Sequence, residues 1–242
     1  MKTIGLIGGL SWESSAEYYR MINEAVKARL GGLHSAQSLM FSFDFHEIER
    51  LQHAGDWAGA TDRMIDAAQR LERGGADMIV ICSNTMHRMA AAVQAAINVP
   101  LLHIADPTAE RIKAAGLKRI GLLGTIYTME HEFYRGRLTG IHGLDVITPN
   151  AEDRQIVNRI IYDELVLGVI KPEAKAEYVR VVSNLVADGA QGVIFGCTEI
   201  GLLITQADVP VPAFDTTEIH ALAAVEMALF QEGMIYHAPT NT

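Results

Sequence analysis

The chain has 242 residues, 49% of them hydrophobic and 20% charged, which is core-forming material for one large domain or two small ones. A formal net charge of −9, with no Lys/Arg block to offset it, argues against a phosphate-backbone surface, so no nucleic-acid partner is expected. No apolar run reaches about 18 residues, so no membrane span is predicted, and the short Ile4 to Ile7 stretch behind Met1-Lys2-Thr3 is no signal-peptide core, so a cytoplasmic location is expected.

In chain order, Thr3–Gly8 is a predicted strand and Glu13–Leu30 a helix, with Tyr18, Met21, Ile22, Ala25, Val26 and Leu30 spaced for one face. Leu39–Phe43 is a strand, Asp56–Arg73 a helix stopped by Gly74-Gly75, and Met78–Cys82 a strand as purely apolar as a buried parallel strand. Met86–Ala96 reads as a helix and Leu101–Ile104 as a strand. Then the pattern restarts: helix Pro107–Ala115, strand Arg119–Leu123, helix Met129–Leu138, strand Asp145–Thr148 and helix Asp153–Leu167. Helix Pro172–Ala187, strands Gly192–Gly196 and Val211–Phe214, and helix Thr217–Phe230 close the predicted elements. The tail from Gln231 to Thr242 has no periodicity and is assigned no function. Such βα alternation predicts an α/β fold with parallel sheets.

The chain also repeats itself. Lys2-Thr3-Ile4-Gly5-Leu6-Ile7-Gly8 resembles the run from Lys118 to Gly124, an offset of 116 residues. The run from Gly75 to Ser83 resembles Gly189 to Cys197, an offset of 114. Two matches in the same order predict a duplicated unit. The expected architecture is two similar Rossmann-like domains related by a pseudo-two-fold axis, 1–104 plus 214–242 and 105–213, with the active site in the cleft between them. Ligands of open α/β sheets sit at the carboxyl ends of strands. Equivalent positions should then face each other: Ser83 opposite Cys197, Asn84 opposite Thr198, Thr85 opposite Glu199, and Cys82 matched to Gly196. The turns Gly8-Gly9-Leu10-Ser11 and Gly124-Thr125 should line the same cleft.

Cys82 and Cys197 are the two cysteines, and no C-x-x-C or H-E-x-x-H offers a zinc site. The glycines after the first strand do not fit G-x-G-x-x-G, and no phosphate-binding G-x-x-x-x-G-K-[ST] is present. No lysine context points to pyridoxal phosphate. No metal is expected on this reading. Along a strand, neighbouring side chains point to opposite faces, so Cys82 should point away from the cleft and is the weaker candidate base.

Ile81-Cys82-Ser83-Asn84-Thr85-Met86-His87 and Gly196-Cys197-Thr198-Glu199 resemble the two signatures of the aspartate/glutamate racemase family. The opening GLIGGLSWESSAEYY and the segment LGGLHSAQ resemble its aspartate racemase and broad-specificity branch, and the likeness runs to about residue 230. The resemblance implies a two-base racemisation of an amino acid without cofactor or metal, a small anionic substrate, and a homodimer. It implies Cys197 as the base on the L-face, a helix N-terminus that lowers the thiol pKa, and backbone donors that stabilise the carbanion-like state. From the matched repeat positions and the turns lining the cleft, substrate contacts are expected at Leu10, Gln52, Asn84, Thr85, Thr125, Thr198 and Glu199. This chain departs from the family at Ser83, where a cysteine is usual, and Ser83 would guard the opposite face directly or through a water. Leu165 and Gln52 stand where some relatives place a lysine and an arginine. Glu199 either orients Cys197 or caps a helix. His87 and His103 are read as hydrogen-bonded structural histidines, and Trp12 and Trp57 as packing residues. The alternatives are a related single-cysteine decarboxylase or isomerase, a hydantoin racemase, and a non-catalytic amino-acid-binding protein.

Overall fold

A computed structural model describes residues 1–230; the tail from Gln231 to Thr242 lies outside the described residues. Two four-stranded parallel sheets carry the chain. The first is built from β1 (Ile4–Gly8), β2 (Ser38–Ser42), β3 (Met78–Ile81) and β4 (Leu101–Leu102), in the order β2-β1-β3-β4. The second, from β5 (Arg119–Gly124), β6 (Asp145–Ile147), β7 (Gly192–Gly196) and β8 (Ala213–Asp215), has the order β6-β5-β7-β8. The strand order is therefore the same in both halves. So is the register: Ile4 pairs with Met78 in the first sheet and Ile120 with Gly192 in the second. These pairs stand 116 and 114 residues apart along the chain, the offsets of the sequence repeats.

The central strands are apolar throughout because helices cover both of their faces. In the first half, Ile7, Ile79 and Ile81 pack against the helix Trp57–Arg73, while Ile4, Leu6, Val80 and Cys82 pack against α1 (Trp12–Leu30). The helix Thr216–Leu229 leaves the second sheet at β8 and lays Ala221, Ala224, Val225 and Ala228 on that α1 face. The second sheet is covered likewise, with Leu123, Val193 and Phe195 on one face and Ile120, Leu122 and Ile194 on the other.

Side-chain caps mark where the chain turns from strand to helix. The Ser11 hydroxyl accepts the Ser14 N–H at the start of α1, and Thr125 accepts the Thr128 N–H behind β5. Gly9 between β1 and α1 has φ +70, and a Cβ there would lie 2.2 Å from the Phe43 carbonyl oxygen, so the turn that carries Leu10 and Ser11 requires glycine.

Several boundaries differ from the sequence reading. The predicted helix Met86–Ala96 is a 3-10 turn, Thr85–Met89, followed by a short helix, Ala90–Ala95. The strand expected to reach Ile104 stops at Leu102, and the helix expected from Met129 to Leu138 is two helices, Ile126–Glu130 and Glu132–Gly140. A helix over Phe45–His53 and a short one over Ile200–Leu203 have no counterpart in that reading. Trp12 does not pack: it is 70% exposed. No helix among the described residues is long and apolar enough to cross a membrane.

Candidate active site

The ends of β1, β3, β5 and β7 open into one cavity between the halves. Leu10, Gln52, Ser83, Asn84 and Thr85 line it from the first half; Thr125, Cys197, Thr198 and Glu199 line it from the second. Phe45, Ile161, Tyr162 and Val166 complete the wall. Among the described residues no lysine or arginine lines it, and Glu199 is its one carboxylate. Leu165 belongs to the second-half core at 1% exposure, and its neighbour Val166 reaches the cavity instead.

Cys197 follows β7 directly, and its thiol donates to Glu199 Oε2 at 3.0 Å. The Thr198 hydroxyl donates to the same oxygen at 2.7 Å, and the Ser11 hydroxyl reaches across the cleft to Oε1 at 2.5 Å. Glu199 thus gathers three donors and orients the thiol; it makes no side-chain cap to the helix that follows. The expected low thiol pKa is not what this setting produces. Burial, and then the adjacent Glu199 carboxylate, push the Cys197 thiol well above its ordinary value. The helix behind it spans only Ile200–Leu203, too little dipole to outweigh desolvation plus a neighbouring negative charge. The resting form is the neutral thiol.

On the other wall, Ser83 is half-buried and its Oγ accepts the Met86 N–H at 3.4 Å. Cys82, one residue earlier, shares the core face with Tyr18 and Ile22 and does not line the cavity. Strand alternation gives the reason: Val80 and Cys82 project to the α1 side of the sheet, Ile79 and Ile81 to the other. Burial raises the Cys82 thiol as well.

Asn84 holds an unspent acceptor. The Thr216 hydroxyl donates its proton to the Phe195 carbonyl at 2.8 Å, so toward Asn84 it can only accept. The Asn84 amide nitrogen must therefore face Thr216, at 2.9 Å, and Oδ1 is left buried with no partner among the described residues. Such an orphan acceptor in a cavity wall costs about 1–3 kcal/mol unless a ligand satisfies it. Gln52 is buried and offers its amide nitrogen to the Met86 sulfur at 3.1 Å, a weak acceptor.

Beside the cavity, further contacts tie the halves. The Thr85 and Thr125 hydroxyls meet at 3.0 Å. The Trp57 ring stacks edge-on to Tyr127 and carries the Arg88 guanidinium 4.3 Å above its centroid, and Arg88 also donates to His131 Nδ1.

Sequence reasoning did not single out Phe45, Tyr162 or Val166. Phe45 opens the overlooked helix, whose N-cap, Asp44, accepts the His46 N–H; Asp followed by an apolar residue was the available signal. Tyr162 and Val166 sit near the end of a helix and in the 3-10 turn after it, and nothing local marks either as facing a ligand.

Two repeated parallel α/β units closing on one polar cavity that bears a thiol define a class of cleft enzymes whose chemistry lies between the repeats. Residues 7–224 match the Asp/Glu/hydantoin racemase family, and the chain belongs to it. The fold is similar to the crystal structure of a candidate Asp/Glu racemase from Yersinia pestis, with 58% identity and a TM-score of 0.89 over 95% of this chain and 100% of that one. An aspartate racemase homologue from Pyrococcus horikoshii is 38% identical with a TM-score of 0.82, over 94% of this chain and 99% of that one. The broad specificity amino-acid racemase RacX of Bacillus subtilis is 27% identical over 170 residues, 69% of this chain and 71% of that protein. These relatives make the protein an enzyme of isomerase type.

Proposed function

We propose that this protein is a cofactor-independent racemase of acidic amino acids, aspartate or glutamate, which inverts Cα between Cys197 and Ser83. The observation that carries the reading is one thiol and one hydroxyl, at equivalent strand ends of the two halves, lining a single cavity. The substrate ammonium satisfies Asn84 Oδ1, the orphan acceptor. Its carboxylates take the hydroxyl and main-chain donors around Thr85, Thr125 and Thr198, which stabilise the charge that grows as the α-proton leaves.

Because the thiol is neutral at rest, the reaction begins with its proton passing to Glu199 along the 3.0 Å bond. The thiolate removes the α-proton from the L-face, becoming a thiol again. A water held by Ser83 delivers a proton to the opposite face. The hydroxide left behind takes the proton from Glu199, and the site is restored. The cavity, open on one side, has room for about 30 Å³, the space of two or three waters at about 10–15 Å³ each. An amino acid therefore enters only when the halves part, opening the Ser11–Glu199 and Thr85–Thr125 bonds.

Proton NMR of L-aspartate and L-glutamate in D₂O, without added cofactor, tests this. Loss of the α-proton signal, followed by the D-enantiomer on chiral chromatography, is the expected result; an unchanged signal with both substrates overturns it. The single thiol facing the cavity also suits a one-base reaction, and carbon dioxide release from a malonate without amino-acid exchange would favour that decarboxylase reading.

A further inference from the structure

Beneath the Ser83 wall lies a cluster of buried histidines that the proton transfers above do not use. His87 is 2% exposed and sits four residues beyond Ser83. The Ile104 N–H donates to its Nε2 at 3.1 Å. An N–H cannot accept, so Nε2 bears no proton and the ring proton is on Nδ1. That proton is donated to the Ser83 carbonyl oxygen at 2.7 Å. Burial, the largest influence, pushes His87 down to about 4, so the ring stays neutral near pH 7. His103 and His220 flank it with ring centroids 4.7 and 5.5 Å away. His220 is held in turn, its Nδ1 against the Tyr18 hydroxyl at 2.8 Å and its Nε2 against the Leu102 carbonyl at 2.9 Å. No group of three His, Cys, Asp or Glu side chains among the described residues has the geometry of a metal site, and both His87 nitrogens are already engaged.

The two walls are therefore held differently. Cys197 is gripped through its side chain by Glu199. Among the described residues the Ser83 hydroxyl has only the long 3.4 Å bond from Met86, while the short 2.7 Å bond is to its main chain. A side chain with one rotor follows its peptide plane, and a displacement of about 1 Å at a reacting group can cost about a hundredfold in rate.

We propose that His87 is the positioning residue of the Ser83 wall: its Nδ1–H bond to the Ser83 carbonyl aims the Ser83 hydroxyl at the substrate, and so governs inversion without governing proton removal by Cys197. This rests on the racemase reading above. The experiment starts from L-aspartate in D₂O and measures two rates: deuterium entering the retained L-enantiomer, which needs Cys197 and exchange of its captured proton with solvent but not the Ser83 face, and appearance of the D-enantiomer, which needs the Ser83 face as well. His87→Asn puts an amide N–H where Nδ1 is and keeps the bond to Ser83. His87→Gln reaches the Nε2 position, keeps an acceptor for Ile104 and loses the bond to Ser83.

The Gln variant is expected to lower the inversion-to-exchange ratio about tenfold, with the Asn variant staying within about threefold of the parent. A merely structural histidine would shift melting temperature and total rate in both variants and leave the ratio alone; that result overturns the proposal. Nitrogen-15 NMR of the unsubstituted protein gives a second test that does not depend on the variants folding. A neutral His87 protonated on Nδ1 is expected, and a proton on Nε2 would sink the idea. Should the unsubstituted protein exchange no α-proton at all, it is the racemase reading that fails, and the tautomer measurement still decides how Ser83 is held.

Discussion

The turn after β3 and the turn after β7 occupy the same place in two copies of one unit, yet they hold their key side chains by different means. After β7, Cys197, Thr198 and Glu199 form a self-contained polar knot whose carboxylate also binds Ser11 across the cleft. After β3, the thiol is one residue too early and lies in the core, a hydroxyl takes the cavity position, and the nearby support comes from a neutral histidine on the main chain. Duplication supplies matching scaffolds; one shifted residue, read through strand alternation, decides which wall carries sulfur chemistry.

The sharpest way to break this comparison is Cys197→Ala, which should reduce α-proton exchange from the L-enantiomer by about a thousandfold, the scale of a lost general base. Proton NMR in D₂O measures it, and retained exchange would move the base elsewhere. Ser83→Cys should make the walls alike and raise inversion, measured by chiral chromatography from either enantiomer, by about tenfold because a thiol is the stronger acid. Asn84→Ala removes the orphan acceptor and should raise KM about tenfold with a smaller change in kcat, the pattern of lost ground-state binding.

The pH dependence gives a subtler test. The folded Cys197 thiol titrates above its ordinary value, so the thiolate is scarce at neutral pH and exchange should still be climbing above pH 8.5, the region of a free thiol. Glu199 is one cause of the upward shift. Glu199→Gln removes that negative charge, and the rising limb of the exchange profile should move to lower pH; a limb that stays or moves upward would contradict the assigned electrostatics. The smallest effect on the reaction belongs to Cys82→Ala. Exchange should stay within about twofold of the parent, while chemical unfolding shows a loss of about 1 kcal/mol for the vacated core volume. A collapse of exchange in a folded Cys82→Ala protein would restore Cys82 as a base.

Much of the scaffold was legible because its signals are local. The apolar runs at Ile4–Gly8 and Met78–Ile81 and the near-copies at Arg119–Gly124 and Gly192–Gly196 specify buried parallel strands. The helix Phe45–His53 escaped notice because nine polar-rich residues between a strand and a stronger helix resemble a connection, although Ile48 and Gln52 form its buried face. The break after Met89 was hidden because Met86 to Ala96 is favourable to a helix throughout, and the turn that brings Thr85 to the cavity is a tertiary requirement.

The sequence by itself determined the duplicated α/β units and the matching of Ser83 with Cys197 along the repeat, since periodicity and repetition are properties of neighbouring residues. Tertiary structure alone decided the state of the chemistry. The bond from Ser11 to Glu199 joins residues 188 apart, and the buried setting of Cys197 reverses the expectation drawn from a helix start. Desolvation and charge–charge contact depend on what packs around a group in three dimensions, and no local pattern encodes them.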